Sequence, residues 1–259
     1  MNSCLKAEDL GLCTRGHQRL QGVSFALQPQ EILVVCGPNG AGKSTLLDLL
    51  SGDQQPTRGQ VWLQDQPLSS FSASQQAHLR ARLAQDYPVH FDFLAQEVVA
   101  FGRFSWPESE AETQAIVAQA MQAAGCAHLA QRAITQLSGG ERQRVQLARV
   151  LAQVWQVEQG VLLLDEPLSA QDLGQQQWIF RQLKQLARQK NWGILCVLHD
   201  LNLAQLFADR VLLLAQGQQL AWGPPQEVLC LERLSLTYQA ELTAYQHPMK
   251  AHQLVMLDD

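Results

Sequence analysis

Gly37-Pro38-Asn39-Gly40-Ala41-Gly42-Lys43-Ser44, followed by Thr45, is the stretch that decides the fold of this chain. The apolar residues 32–36 before it predict a buried strand, and residues 46–50 after it predict the first turns of a helix. Glycines at this spacing let backbone N–H groups converge on phosphate oxygens at the helix N-terminus. We therefore predict a nucleoside triphosphate site in which Lys43 reaches the β- and γ-phosphates and the Ser44 hydroxyl binds Mg²⁺.

The composition is typical of a globular protein. Of 259 residues, 46% are hydrophobic and 17% are charged, and no apolar run approaches the roughly 20 residues that a membrane-spanning helix needs. The net charge of −5 argues against a nucleic-acid-binding protein, which needs concentrated Lys and Arg. The first residues lack the apolar core of a secretory signal. We expect a cytosolic chain that meets a membrane only through a partner.

Alternating strand-like and helix-like segments predict an α/β fold. Helical character is expected over residues 69–157, 175–190 and 202–209, and strands over residues 23–27, 32–36, 60–63, 161–164, 194–198 and 211–214. This order is typical of a parallel sheet with crossover helices. Cys36 and Cys196 lie inside two of the strand-like runs, where a reduced thiol packs as a small hydrophobe. The last twenty or so residues show no pattern. We predict a nucleotide-binding core interrupted by a helical insertion.

Two carboxylates follow the strand predicted over residues 161–164. Asp165 and Glu166 come at its carboxyl end, which is where ligands bind in open α/β sheets. Asp165 is expected to complete the Mg²⁺ shell, and Glu166 to accept a proton from an attacking water or to orient it. His199 ends another predicted strand and could hydrogen-bond a γ-phosphate.

The segment Leu137-Ser138-Gly139-Gly140-Glu141 precedes a helix predicted over residues 145–153. Ser138 and Glu141 form a capping box, which needs no ligand. Two glycines in a first helical turn cost about 1 kcal/mol each, however, and exposed amides at a helix N-terminus form an anion site. Both interpretations hold if the capped helix end faces a phosphate.

The order of these motifs along nearly the whole chain resembles the ATP-binding cassette (ABC) ATPases. The resemblance implies a P-loop NTPase with a RecA-like core, an antiparallel β subdomain and a helical subdomain, the whole chain (1–259) forming one nucleotide-binding domain. The core and β subdomain would span about 1–87 and 158–259, and the helical subdomain about 88–157. It also implies a homodimer that sandwiches two ATP, each site completed in trans by the partner's signature motif.

Further residue roles follow from the resemblance alone. Gln85 corresponds to the Q-loop glutamine, which links Mg²⁺ and water to the transmembrane partner. The signature motif falls on Ser138, Gly139, Gly140 and Glu141, the D-loop aspartate on Asp172 and the switch histidine on His199. ATP and Mg²⁺ are the implied cofactors. Lys43, Gln85, Glu166 and His199 would act in catalysis, with Ser44, Gln85 and Asp165 around the metal.

Two positions depart from the family pattern. The D-loop, usually Ser-Ala-Leu-Asp, has Gln171 in place of leucine. The aromatic residue that stacks on adenine, expected near Leu12 or Cys13, is missing. The affinity for adenine is then expected to be weaker, unless His17 or Phe25 replaces the missing aromatic residue.

Finer similarity narrows the expected function. Residues 96–103 resemble the segment after the Q-loop in importers of iron chelates and cobalamin, and residues 146–153, 196–204 and 208–217 resemble the ATPases of hemin importers. The implied protein is a peripheral subunit at the cytoplasmic face of a bacterial inner membrane. It would energise two copies of a multi-span permease that receives cargo from a periplasmic binding protein. Ferric siderophores and cobalamin remain alternative cargoes. A non-transport ABC ATPase and a regulatory module without hydrolysis are the rival classes.

Overall fold

The computed structural model describes residues 3–84, 92–246 and 253–257, and within these residues the chain forms a mixed sheet flanked by helices. The strands are β1 (Leu5–Thr14), β2 (His17–Leu27), β3 (Ile32–Cys36), β4 (Arg58–Leu63), β5 (Gln66–Pro67), β6 (Arg80–Leu83), β7 (Val161–Asp165), β8 (Gly193–Val197), β9 (Arg210–Ala215), β10 (Gln218–Gly223), β11 (Leu242–Gln246) and β12 (Gln253–Leu257). The α-helices are α1 (Lys43–Leu50), α2 (Ala73–Leu79), α3 (Ala95–Ala100), α4 (Glu110–Ala123), α5 (Gly139–Gln153), α6 (Leu173–Lys190), α7 (Leu201–Phe207), α8 (Pro225–Val228) and α9 (Leu231–Tyr238).

The large sheet joins a parallel and an antiparallel half. Its strand order is β5-β4-β1-β2-β10-β9-β3-β8-β7-β6. Strands β9, β3, β8, β7 and β6 pair in parallel, whereas β2, β1, β4 and β5 pair antiparallel. The predicted α/β class, with a parallel core and an antiparallel β portion, is confirmed.

The parallel strands are apolar throughout because both of their faces are buried. In β3, Ile32, Val34 and Cys36 pack into one hydrophobic cluster, and Leu33 and Val35 pack into another on the opposite face. Strands β7 and β8 alternate between the same two clusters. Helix α1 packs in the second cluster and α5 in the first, so the two faces of the parallel strands are both covered.

The predicted helical insertion contains α3, α4 and α5, which pack against one another. Arg103, which lies between α3 and α4, connects this segment to the end of α5 and forms a buried ion pair. The Arg103 guanidinium, 1% exposed, lies 2.5 Å from a Glu108 carboxylate oxygen and donates a 2.7 Å hydrogen bond to the Ala152 carbonyl. The subdomain boundary predicted between 87 and 88 falls on residues 85–91, outside the described residues.

Several sequence-based boundaries are wrong. Strand β6 lies within the stretch expected to be helical, where Ala, Gln and Leu are frequent and β-branched runs are few. Arg80 of this strand is buried, since its guanidinium donates to the Leu50 carbonyl at 3.1 Å. Helix α5 begins at Gly139, six residues before the predicted start, because Ser138 caps it. Strands β11 and β12 form a hairpin in the C-terminal stretch, where the sequence shows no pattern.

Candidate nucleotide-binding site

The phosphate loop connects β3 to α1, as predicted, and two of its glycines are required by the backbone. Gly37 has φ +151°, and a Cβ there would lie 2.1 Å from the Leu214 carbonyl oxygen. Gly42 is the N-cap of α1 with φ +98°, in the left-handed region that glycine adopts readily. The loop therefore closes tightly over the end of β9 and directs the first turn of α1 into a cleft.

Lys43 is the first residue of α1, and its side chain folds back over the loop. Its ammonium donates to the carbonyl oxygens of Gly37 at 2.7 Å and Pro38 at 3.0 Å. The side chain is buried, and this burial lowers the pKa of the ammonium. The two carbonyls hold the ammonium against the phosphate loop, where phosphate oxygens could accept the same hydrogen bonds.

A cleft of about 470 Å³ opens in front of the loop. It brings together residues from the phosphate loop, from the ends of β7 and β8, and from β2. Its lining comprises Arg19, Asn39, Gly40, Ala41, Gly42, Lys43, Ser44, Thr45, Asp165, Glu166 and His199. Most of the predicted nucleotide residues thus share one cavity, with Gly37 and Pro38 forming the part of the loop that holds Lys43.

Asp165 is the last residue of β7 and lies with Ser44 in the lining of this cleft. Burial, and after it the negative charge of Glu166, raises the pKa of the Asp165 carboxyl. A carboxylate and a hydroxyl facing phosphate groups form an oxygen donor set of the kind that Mg²⁺ takes, since this ion needs only one or two protein ligands beside phosphates and water. The residues present fit the metal, and within the described part of the chain no three His, Cys, Asp or Glu side chains form a separate metal cluster.

Glu166 and His199 form a close pair across neighbouring strand ends. The Glu166 Oε1 atom lies 2.5 Å from His199 Nε2. Glu166 has φ +47°, which is uncommon for a non-glycine residue and marks a backbone conformation held by its surroundings. Its amide donates to the Val197 carbonyl of β8 at 3.3 Å, and its own carbonyl accepts a 2.8 Å bond from Gln143 Nε2. The carboxylate is thereby held in the cleft beside an imidazole.

The signature segment forms the capped start of α5. The Ser138 hydroxyl accepts from the Glu141 amide, and a Glu141 carboxylate oxygen accepts from the Ser138 amide at 2.8 Å, so the predicted capping box is present. The Ser138 bonds hold the pKa of Glu141 below its usual value. None of the four signature residues lines the cleft of its own chain. Ser138 and Gly139 are exposed.

The two signature glycines differ in their surroundings, which predicts opposite effects on stability. A Cβ at Gly139 would meet no atom within 4 Å, whereas one at Gly140 would lie 2.7 Å from the Ala170 carbonyl oxygen. Alanine is favoured over glycine inside a helix by up to about 1 kcal/mol. We expect Gly139→Ala to keep or raise the melting temperature but to lower nucleotide turnover, because its methyl occupies the open approach to the helix end.

Gly140→Ala is expected to lower the melting temperature, because the added methyl displaces the backbone around Ala170. Thermal unfolding of both variants beside the native chain measures the contrast. Equal melting temperatures for the two variants would contradict it, and native turnover in Gly139→Ala would show that nothing approaches that position.

The remaining predicted residues have other surroundings. Asp172 is exposed and caps α6, where its Oδ1 accepts from the Gln175 amide at 2.9 Å. Phe25 is 4% exposed in the β core and does not line the cleft, so it cannot replace an adenine-stacking aromatic there; His17 is exposed but is also absent from the lining. Gln85 lies outside the described residues.

One cleft residue was missed by sequence reasoning. Arg19, on β2, is exposed and contributes a second cation to the lining beside Lys43. No local motif marks it, because β2 reaches the phosphate loop only through tertiary structure: the Arg19 carbonyl would lie 3.1 Å from a Cβ at Gly42. A planar guanidinium can stack on a ring or bind phosphate oxygens.

A glycine-rich loop between a buried strand and a helix, with two carboxylates at the end of another parallel strand of the same sheet, defines a P-loop nucleotide-binding protein. The sequence profile of the ABC transporter family matches residues 20–169. The chain belongs to that family, and it is an ABC ATPase. No described helix is long and apolar enough to cross a bilayer.

Similar proteins agree with this assignment. The hemin import ATP-binding protein HmuV of Escherichia coli O157:H7 is 41% identical over 98% of this chain and 99% of its own length. HmuV of Hahella chejuensis (strain KCTC 2396) is 43% identical over 93% of this chain and 96% of its own. An ABC transporter described as metal-chelate type, in an inward-facing conformation, matches with TM-score 0.82 and 28% identity over 99% of this chain and 98% of the other. The cbiO1 subunit of Clostridium perfringens, part of the transporter complex cbiONQ, matches with TM-score 0.78 and 26% identity over 90% and 93%.

Proposed function

We propose that the chain is the ATP-hydrolysing subunit of a hemin importer. It would work as a homodimer at the cytoplasmic face of a bacterial inner membrane. Two copies of a multi-span permease would carry the cargo, which a periplasmic binding protein delivers to the permease. The observation that carries the proposal is the convergence of Lys43, Asp165, Glu166 and His199 on one cleft. The identity of 41–43% to the two HmuV proteins supports the cargo.

In the proposed reaction, the loop amides and Lys43 hold the β- and γ-phosphates of ATP. Ser44 and Asp165, with Gln85, would hold Mg²⁺, which neutralises phosphate charge when bound. Glu166 accepts the proton of the attacking water. The His199 Nε2 atom holds that carboxylate at 2.5 Å, and with ATP bound the same N–H would donate to the γ-phosphate. Because the leaving charge spreads over phosphate oxygens, this task consists of positioning and electrostatic stabilisation.

The partner chain supplies the other half of each site. The amides of Gly139 and Gly140 sit at the N-terminus of α5, where an anion is favoured, and the Ser138 hydroxyl lies beside them. Since these groups do not line their own cleft, we propose that they bind the γ-phosphate held by the partner. Asp172, exposed at the start of α6, would lie at the same interface.

An exposed aromatic cluster, formed by Phe93, Phe101 and Phe104, is the proposed contact with the permease. These side chains are 37%, 51% and 93% exposed, and the rings of Phe93 and Phe101 pack edge to face at 5.2 Å. Large apolar side chains grouped on a surface mark an interaction site. Phe93 lies two residues after the segment 85–91 along the chain, which contains Gln85, the residue predicted to link Mg²⁺ and water to the permease.

Reconstitution tests the proposal. The tagged full-length chain is expected to co-purify with a multi-span permease, and hemin-loaded binding protein should stimulate ATP hydrolysis by the complex in proteoliposomes. Phe104→Ser tests the proposed permease contact: it should bind ATP normally but lose this stimulation.

Each other outcome identifies a different function. Equal stimulation by binding proteins loaded with a ferric siderophore or cobalamin would contradict the hemin assignment. Hydrolysis without any co-purifying permease would favour a non-transport ABC ATPase, and ATP binding without hydrolysis a regulatory module.

A further inference from the structure

The D-loop glutamine that departs from the family pattern joins two functional segments of the same chain. Gln171 Nε2 donates a 2.7 Å hydrogen bond to the Gly140 carbonyl, in the first turn of α5. Its Oε1 accepts a 2.6 Å bond from the Arg144 guanidinium, one turn further along that helix. A leucine at this position could make neither bond. Gln171 therefore fastens the start of α5 to the loop that leads from β7 to α6.

That loop begins with Glu166, and a second amide side chain extends the connection to it. Gln143, also on α5, donates to the Glu166 carbonyl at 2.8 Å and accepts from the Ala170 amide at 3.2 Å. Gln171 Nε2 also lies 3.3 Å from Gln143 Oε1. A continuous set of hydrogen bonds thus runs from the signature turn, which is the first turn of α5 with its signature residues, to the backbone of Glu166.

The packing around this connection leaves little freedom. The close approach of the Ala170 carbonyl is the reason that position 140 must be glycine, and a Cβ at that position would also lie 3.1 Å from Gln171 Nε2. Glu166 has its uncommon φ of +47° at the other end of the loop. A displacement of the first turn of α5 would either break these hydrogen bonds or move the loop with it.

We propose that Gln171 is a positioning residue that couples the two nucleotide sites of the homodimer. This inference rests on the proposed function, in which the signature turn serves the partner's ATP while Glu166 serves the chain's own. Engagement of the partner's γ-phosphate by the amides of Gly139 and Gly140 fixes the first turn of α5. Through Gln171 and Gln143 this fixes the Glu166 backbone and the orientation of its carboxylate. Such coupling is reciprocal between the two sites.

Steady-state hydrolysis by the full-length chain as a function of ATP concentration tests the coupling. Two coupled sites allow a Hill coefficient up to about 2. For Gln171→Leu we expect a Hill coefficient of about 1 and a maximal rate lowered at least about fivefold, because the variant loses two hydrogen bonds and the loss of one typically gives about that factor. The dissociation constant for a fluorescent ATP analogue, measured on the dilute chain, should stay native, because Gln171 does not line the cleft.

Two further variants keep the test specific. Gln171→Glu preserves an acceptor for Arg144 but sets a carboxylate oxygen against the Gly140 carbonyl, so it should lose cooperativity as well. Gln177→Leu, at an exposed glutamine on α6, is the matched control and should behave as the native chain. Native cooperativity in either Gln171 variant, or a native Hill coefficient of 1, overturns the coupling. A native chain that hydrolyses no ATP contradicts the proposed function itself.

Discussion

Glu166→Gln should reduce ATP hydrolysis at least about 100-fold, within the range that a general base contributes, while ATP still binds. The substitution keeps the size of the side chain and its ability to hydrogen-bond His199, which lies 2.5 Å from the carboxylate. It removes only the capacity to accept a proton. Because the sites then load without turning over, we also expect the variant to accumulate as an ATP-bound dimer, visible by size-exclusion chromatography with ATP and Mg²⁺.

The matched control for Glu166→Gln is Glu232→Gln, which neutralises an exposed carboxylate on α9. It should hydrolyse ATP at the native rate. Because the left-handed backbone at position 166 suits glutamine no better than glutamate, the melting temperatures of native and Glu166→Gln chains should agree. Native turnover in Glu166→Gln would exclude this residue as the base and leave His199 as the candidate within the cleft.

Lys43→Ala should abolish measurable ATP binding at concentrations that saturate the native chain. The variant removes the buried cation of the cleft and leaves the Gly37 and Pro38 carbonyls, which now accept its hydrogen bonds, facing the phosphates. A carbonyl oxygen without a hydrogen-bond donor beside an anion is unfavourable, so the loss of ATP affinity should exceed the loss expected from removing one charge contact. Titration with a fluorescent ATP analogue measures it.

A second substitution separates charge from shape at this position. Lys43→Met retains most of the stem of the side chain and should bind ATP as poorly as Lys43→Ala if the ammonium is responsible. Lys6→Ala, on β1 and outside the cleft, is the control and should bind ATP as the native chain does. Undiminished ATP binding by Lys43→Met would contradict the assigned role of the amine.

The phosphate loop could be predicted from sequence because its geometry is local. Its strand, glycines and helix start are contiguous, and short-range backbone conformation alone places the amides. The capping box at Ser138 and Glu141 is equally local, and it is present as predicted. Where sequence reasoning was wrong about boundaries, as at the start of α5, the cap itself decided the first helical residue.

Contacts between distant residues could be predicted only in part. The sequence predicts that Asp165 and His199 each follow a strand. Parallel pairing of β7 with β8 brings those two strand ends together. The 2.5 Å contact between Glu166 Oε1 and His199 Nε2 could not be predicted from the sequence, because it depends on the left-handed backbone at Glu166. The burial of Arg80 in strand β6 could not be predicted either, because the carbonyls that accept from its guanidinium belong to Leu50 at the end of α1 and to Ser51 after it.

The sequence by itself determined that this chain binds a nucleoside triphosphate and belongs among the ABC ATPases, because the phosphate loop, the signature motif and the carboxylates after β7 are short contiguous motifs. Only the tertiary structure decided what surrounds the motifs: that Arg19 lines the cleft, that Phe25 is core, and that Gln171 joins the signature turn to the Glu166 loop. The physical reason is that motif geometry follows from neighbouring backbone dihedrals and caps. Side-chain contacts across the sheet depend on register and packing, which the whole chain sets together.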